Sequence, residues 1–144
     1  MSIRTSLGYL VILPLFTAAA TSADGAGLEA RVSGVRNAKG QVGCLLFASA
    51  DGFPGDVKRA RRAIMAPVVG GTAICSFEAP AGSYAIVAMH DENANGQLDK
   101  SLVGRPKEGY GASRDAQGAF GPKYEDARFD YRGGSMTLPI TIRY

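Results

Sequence analysis

The sequence predicts one all-β domain, a β-sandwich of about seven strands carrying a single long glycine-rich loop. Short segments alternate apolar and polar side chains at the period of a half-buried strand, and turn residues punctuate them at regular intervals. Scarcely any stretch shows helical periodicity.

Leu28 to Val35 sets Leu28, Ala30 and Val32 against Glu29, Arg31 and Ser33, and so reads as a first half-buried strand. Asn37 to Gly40 is a turn. Gln41 to Ser49 is apolar on both faces, with Val42, Cys44 and Leu46 on one and Leu45 and Phe47 on the other, as a central strand requires. Asp51 to Asp56, with Gly52, Pro54 and Gly55, is a loop, and Val57 to Ala63 suits a short helical turn. Ile64 to Val69 is an edge strand, since Pro67 cannot donate to a ladder. Gly70-Gly71 signals a turn into Thr72 to Ala79, so these two strands are candidates to pair. Pro80 to Ser83 turns the chain into Tyr84 to Met89, a Tyr-, Ile- and Val-rich strand that runs into His90 and an acidic loop. From Glu92 to about Asp126 periodicity is nearly absent, which is typical of a functional or ligand-ordered loop. Phe129 to Tyr131 and Ser135 to Tyr144 close the fold, the latter burying Met136, Leu138, Ile140 and Ile142.

Residues 1–23 read as a cleaved signal peptide: Arg4, an apolar run from Leu7 to Phe16, then small residues up to Ala23. That run falls short of the roughly 20 apolar residues that span a bilayer, and no later segment reaches it. Residues 24–144 are then a single exported domain, periplasmic or extracellular, without a transmembrane segment. The net charge of +3 falls to about +2 once Arg4 is removed, too little to argue for nucleic acid. Lys58, Arg59, Arg61 and Arg62 cluster, as a solvated face or as a contact for an anionic envelope surface or polyanion. Cys44 and Cys75 are an even pair in an exported chain, which favours one disulfide over two buried thiols. Closing a loop of about 31 residues would stabilise the fold by roughly 3 to 4 kcal/mol.

Asp91 to Asp99 places oxygen-bearing side chains at alternate positions around Gly96: Asp91, Asn93, Asn95, Gln97 and Asp99. Ca²⁺ takes six to eight oxygen ligands, and this order supplies several of them compactly. An EF-hand would have a bidentate acid where Leu102 stands and a helix where a strand precedes the loop, so the site is an incomplete one, with Glu108, Glu125 and Asp126 as acids elsewhere in the long loop. The alternative is a turn in which Asp and Asn side chains bond their own backbone. His90, the only histidine, has Asp91 beside it and could serve as a general base, or it could be structural. No nucleophile-elbow pattern surrounds Ser101 or Ser113, and no His/Cys spacing suits zinc. Glu108, Tyr110 and Tyr124 are candidates for a ligand-facing surface. The Tyr110, Phe120 and Tyr124 rings could equally pin the loop to the sandwich.

The blocks Ala81-Gly82-Ser83-Tyr84-Ala85, Met89 to Asp99 and Pro106-Lys107-Glu108-Gly109-Tyr110-Gly111, together with Gly52-Phe53-Pro54, Gly121-Pro122, Glu125-Asp126-Ala127 and Phe129, resemble an exported bacterial family known as domain of unknown function 2141. The resemblance spans nearly all of residues 24–144 and implies export and fold but no chemistry. The Pro80 to Ala85 block is also similar to the turn-strand element of transthyretin-like and collagen-adhesin-type sandwiches. The expectation is a non-enzymatic module, with Ca²⁺ ordering the loop, that binds an unidentified envelope or extracellular partner. The alternative is a small exported hydrolase or lyase using His90 with Asp91 or a loop carboxylate.

Overall fold

A computed structural model describes residues 27–96 and 107–144. The signal peptide expected over residues 1–23 and the candidate ligands Gln97 and Asp99 lie outside the described residues.

Eight strands are present among the described residues: β1 (Leu28–Ser33), β2 (Gln41–Phe47), β3 (Arg62–Pro67), β4 (Ala73–Phe77), β5 (Gly82–Asp91), β6 (Tyr110–Ala112), β7 (Phe129–Tyr131) and β8 (Met136–Thr141). They form two sheets. One has the order β4-β1-β8, with β1 and β8 parallel; the other has the order β3-β2-β5-β6, with β7 also on β5. This is the predicted sandwich with one strand more. Strand β2 is central, and β3 and β8 lie at sheet edges, where Pro67 and Pro139 are tolerated.

Between the sheets Leu28, Ala30, Val32, Cys44, Leu46, Phe77, Tyr84, Ile86 and Ile140 pack as the main core. The Cys44–Cys75 disulfide crosses that core from β2 to β4 and so ties one sheet to the other. Tyr84 donates its hydroxyl hydrogen to the Pro80 carbonyl at 2.8 Å, fixing the turn that launches β5. That bond explains why Pro80 and Tyr84 belong to one sequence block.

A second cluster covers the outer face of the larger sheet, where Leu45, Phe47, Ala85, Val87 and Met89 meet Ala112, Ala116, Tyr124 and Ala127. Strands β2 and β5 are therefore buried on both faces, as their two-sided apolarity demands. The segment that covers them is the one the sequence presents as an aperiodic loop. It contains β6, a tight turn over Ser113–Asp115 and one helical turn, α1 (Tyr124–Ala127). Arg114 and Asp115 take left-handed φ values of 59° and 55°, held by an Arg143–Asp115 ion pair and by Arg114 donating to the Arg128 carbonyl.

Two expectations are corrected. Strand β3 begins at Arg62, so the helical turn expected over Val57 to Ala63 is confined to hydrogen bonds from Arg59 and Ala60 back to Asp56. Strands β3 and β4 do not pair along their length: Gly70 and Gly71, both at positive φ, close a two-residue turn at the Val69–Thr72 bridge, and the chain then crosses to the other sheet. The stronger partner for β3 is β2, which leaves β4 for β1.

Candidate functional site

Side chains alternate along β5, so Tyr84, Ile86, Ala88 and His90 face the inter-sheet core while Ala85, Val87, Met89 and Asp91 face outward. The strand thus delivers His90 and Asp91 to one end of the sandwich but on opposite sides of the sheet. Both are fully buried, at 0 % exposure.

His90 is held from both ring nitrogens. Its Nε2 lies 2.8 Å from the Lys39 carbonyl oxygen, which can only accept, so Nε2 carries the hydrogen. Nδ1, 2.6 Å from the Tyr144 hydroxyl, then accepts from it, and that hydroxyl oxygen accepts the Arg36 backbone N–H at 3.0 Å. A neutral imidazole satisfies every bond in this chain. The Arg36 guanidinium lies 4.3 Å from the Tyr144 ring centroid and also forms an ion pair with Glu92. The Asn37 side-chain amide donates to the other Glu92 carboxylate oxygen at 3.0 Å. That amide first, and Arg36 with it, hold the Glu92 carboxyl below the usual carboxylate range against the opposing effect of burial. The turn at Asn37 to Gly40 is pressed against the chain here: a Cβ on Gly40, at φ 64°, would overlap the Asp91 carbonyl oxygen.

Asp91 heads the loop. Its two carboxylate oxygens accept backbone N–H bonds from Asn95 at 3.0 Å and Gly96 at 2.7 Å, and the Asn93 side-chain oxygen shares the Asn95 N–H at 3.1 Å. The described part of the loop is therefore folded back onto its own first residue, with Ala94 and Gly96 at φ 56° and 73°. These bonds are those of an Asx-type turn, and each carboxylate oxygen keeps a second lone pair. Among the described residues no group of three or more His, Cys, Asp or Glu side chains is placed to hold a metal. The side chains that could do so here are Asp91, Asn93 and Asn95, an oxygen set suited to a hard cation but short of the number it takes.

Glu108 marks the return of the loop. It is only 6 % exposed, and one carboxylate oxygen accepts the Glu92 backbone N–H at 3.0 Å, so it faces the base of the loop rather than open solvent. His90 N–H meets the Gly109 carbonyl beside it at 2.8 Å. Tyr110 is half-buried in β6 and exchanges backbone bonds with Arg143, linking the larger sheet to the chain just after β8. Tyr124 lies about one sheet length away. Its ring is buried edge-on to Phe53, with centroids 5.7 Å apart, and burial pushes its phenol up. Of the sequence candidates, Asp91, Asn93, Asn95 and Glu108 share one end of the molecule, and Tyr124 does not join them.

Four contributors escape sequence reasoning. Arg36, Lys39 and Tyr144 surround His90 from distant positions, and no spacing signals them. Ser113 is fully buried; its hydroxyl accepts the Ile86 backbone N–H at 3.0 Å and donates to the Ala127 carbonyl at 2.6 Å. It fills the gap on the edge of β5 between the rungs made by β7 and those made by β6.

No curated protein and no solved structure matches the chain. The model of a family described as an uncharacterised protein conserved in bacteria, domain of unknown function 2141, matches residues 30–138, a span that runs from β1 to β8 and includes Asp91 and Glu108. The chain belongs to that family.

Proposed function

We propose that this protein is an exported, non-enzymatic binding module in which Ca²⁺ orders the loop that begins at Asp91, and that this loop shapes a surface for an envelope or extracellular partner. The observation that carries the reading is Asp91 itself: a fully buried carboxylate at a strand end, with backbone N–H groups on both oxygens and amide side chains at alternate positions after it. The two carboxylate oxygens keep lone pairs that these amides do not use, and a cation bound through them and the amide oxygens that follow would make use of them. Gln97 and Asp99 would extend the ligand set, with water completing it. Engagement of both His90 nitrogens inside the fold supports a structural role for that residue. The disulfide and the leader-like residues 1–23 support export.

Calorimetric titration of the EDTA-treated protein with Ca²⁺, Mg²⁺ and Zn²⁺ tests the reading. Incomplete extracellular sites bind Ca²⁺ at about 10⁻⁴ to 10⁻³ M. At about 10 mM Ca²⁺ such a site adds roughly 1.4 to 2.7 kcal/mol of stability, which EDTA or Asp91→Ala removes. Absence of heat and an unchanged melting temperature would overturn it.

A further inference from the structure

Phe120 is the most exposed large apolar side chain among the described residues, at 105 % of its reference area. Such a ring contributes nothing to the fold's own packing. It is nevertheless presented in a defined way, at the tip of a four-residue turn closed by a Gly121 N–H bond to the Gly118 carbonyl at 3.1 Å. That turn lies beside the loop following β2, where a Cβ added on Gly121 would come within 3.8 Å of the Pro54 ring. Next to Pro54, Phe53 is wedged edge-on between Phe47 at 5.3 Å and Tyr124 at 5.7 Å, which locks the two loops together. The second loop has its own exposed apolar residue, Val57, at 50 % exposure.

Some of the charges on these loops are paired and others are not. Arg59 is paired with Asp51, and Arg128 with Glu125. Asp56 accepts the Lys58 backbone N–H, and Asp126 is exposed on α1. Lys58, Arg61 and Lys123 are exposed and enter no ion pair among the described residues. Three cations outside any ion pair, against the two acids Asp56 and Asp126, thus share these loops with two exposed apolar side chains.

We propose that this end of the sandwich docks on an anionic membrane surface, with Phe120 inserted among the lipids and Lys58, Arg61 and Lys123 contacting headgroups. Interfacial binding needs an apolar insertion together with a basic rim, and both are present here. A soluble polyanion would use the cations but would leave Phe120 and Val57 without a role. The site is independent of the Asp91 loop. Paired residues Gln41–Asp91 and Phe47–Ala85 put the two at opposite ends of the β2–β5 ladder, about 20 Å apart.

The chain has no tryptophan, so Phe120→Trp supplies a single fluorescent reporter at the turn. With vesicles containing about one third phosphatidylglycerol in phosphatidylcholine, its emission should shift to the blue and the protein should sediment with the lipid; about 0.5 M salt should abolish both. Vesicles of phosphatidylcholine alone should leave emission and sedimentation unchanged. Phe120→Ala should weaken partitioning about tenfold or more. Lys58→Gln, Arg61→Gln and Lys123→Gln should each weaken it about fivefold. All four side chains are exposed, so the melting temperature of each variant should match the parent and exclude misfolding as a cause. No sedimentation, partitioning indifferent to Phe120→Ala, or binding to heparin but not to vesicles would each overturn the proposal.

Discussion

Replacing Ser113 by alanine tests whether the covering segment is fastened to β5 by that one hydroxyl. Strand β7 bonds β5 at Gly82 to Tyr84 and β6 bonds it at Val87 to Met89, which leaves Ile86 between them without a strand partner on that edge. Ser113 takes the place of the missing rung and at the same time satisfies the Ala127 carbonyl at the end of α1. Alanine keeps the backbone and removes both bonds, orphaning a donor and an acceptor in a region closed to water. At about 1 to 3 kcal/mol for each buried unsatisfied group, the loss comes to about 2 to 6 kcal/mol, a large part of the roughly 5 to 15 kcal/mol a domain has. Urea denaturation followed by far-ultraviolet circular dichroism reads this as a lower midpoint with an unchanged slope. In a thermal scan it should appear as a fall of about 8 to 24 °C. The control is Ser76→Ala, whose exposed hydroxyl makes only a 3.4 Å contact with Glu29 and whose loss should stay within about 0.5 kcal/mol. If Ser113→Ala is as mild as Ser76→Ala, the edge of β5 is satisfied some other way and the reasoning fails.

Acid should loosen the turn that packs on the loop. Glu92 has its folded pKa depressed, first by Asn37 and then by Arg36, so its contribution is complete above about pH 4.3 and disappears as pH falls through the lower folded value. Melting curves of Glu92→Gln should converge with those of the parent below that range and lie under them above it; a constant offset at every pH would contradict this. His90→Ala should cost about 2 to 4 kcal/mol, because it strands the Lys39 carbonyl and the Tyr144 hydroxyl and opens a cavity. A variant that keeps full stability but loses a turnover would instead restore the hydrolase alternative for His90 and Asp91.

The strands legible in the sequence are those whose residues face two different environments. Leu28, Ala30 and Val32 against Glu29, Arg31 and Ser33 define β1, and the doubly apolar Val42 to Phe47 define β2 as central. Strand β6 gives no such signal, because three residues with a glycine at their centre are too few to show a period. Sheet membership is also hidden: the hairpin-like Gly70-Gly71 is compatible with paired strands or with a crossing between sheets, and only the competition between β2 and β4 for β3 decides. At the site, Asp91, Asn93 and Asn95 are visible as a spacing along one loop. The partners of His90 are not, since Lys39 comes from a turn and Tyr144 from the chain beyond β8, separated from it by 51 and 54 residues. Ser113 looks like any other loop serine until Ile86 and Ala127 are brought to it.

The parallel pairing of β1 with β8 bears on when the protein can fold. Glu29 and Thr137 face each other across that ladder although 108 residues separate them in the chain. Because β1 is the middle strand of its sheet, half of its edge bonding waits for the last strand to be synthesised. At about 5 to 20 residues per second, ribosomal synthesis leaves β1 without β8 for on the order of 5 to 20 s. Contacts of such long sequence separation also form slowly once the chain is complete. The smaller sheet therefore cannot be completed until the last strand has been made.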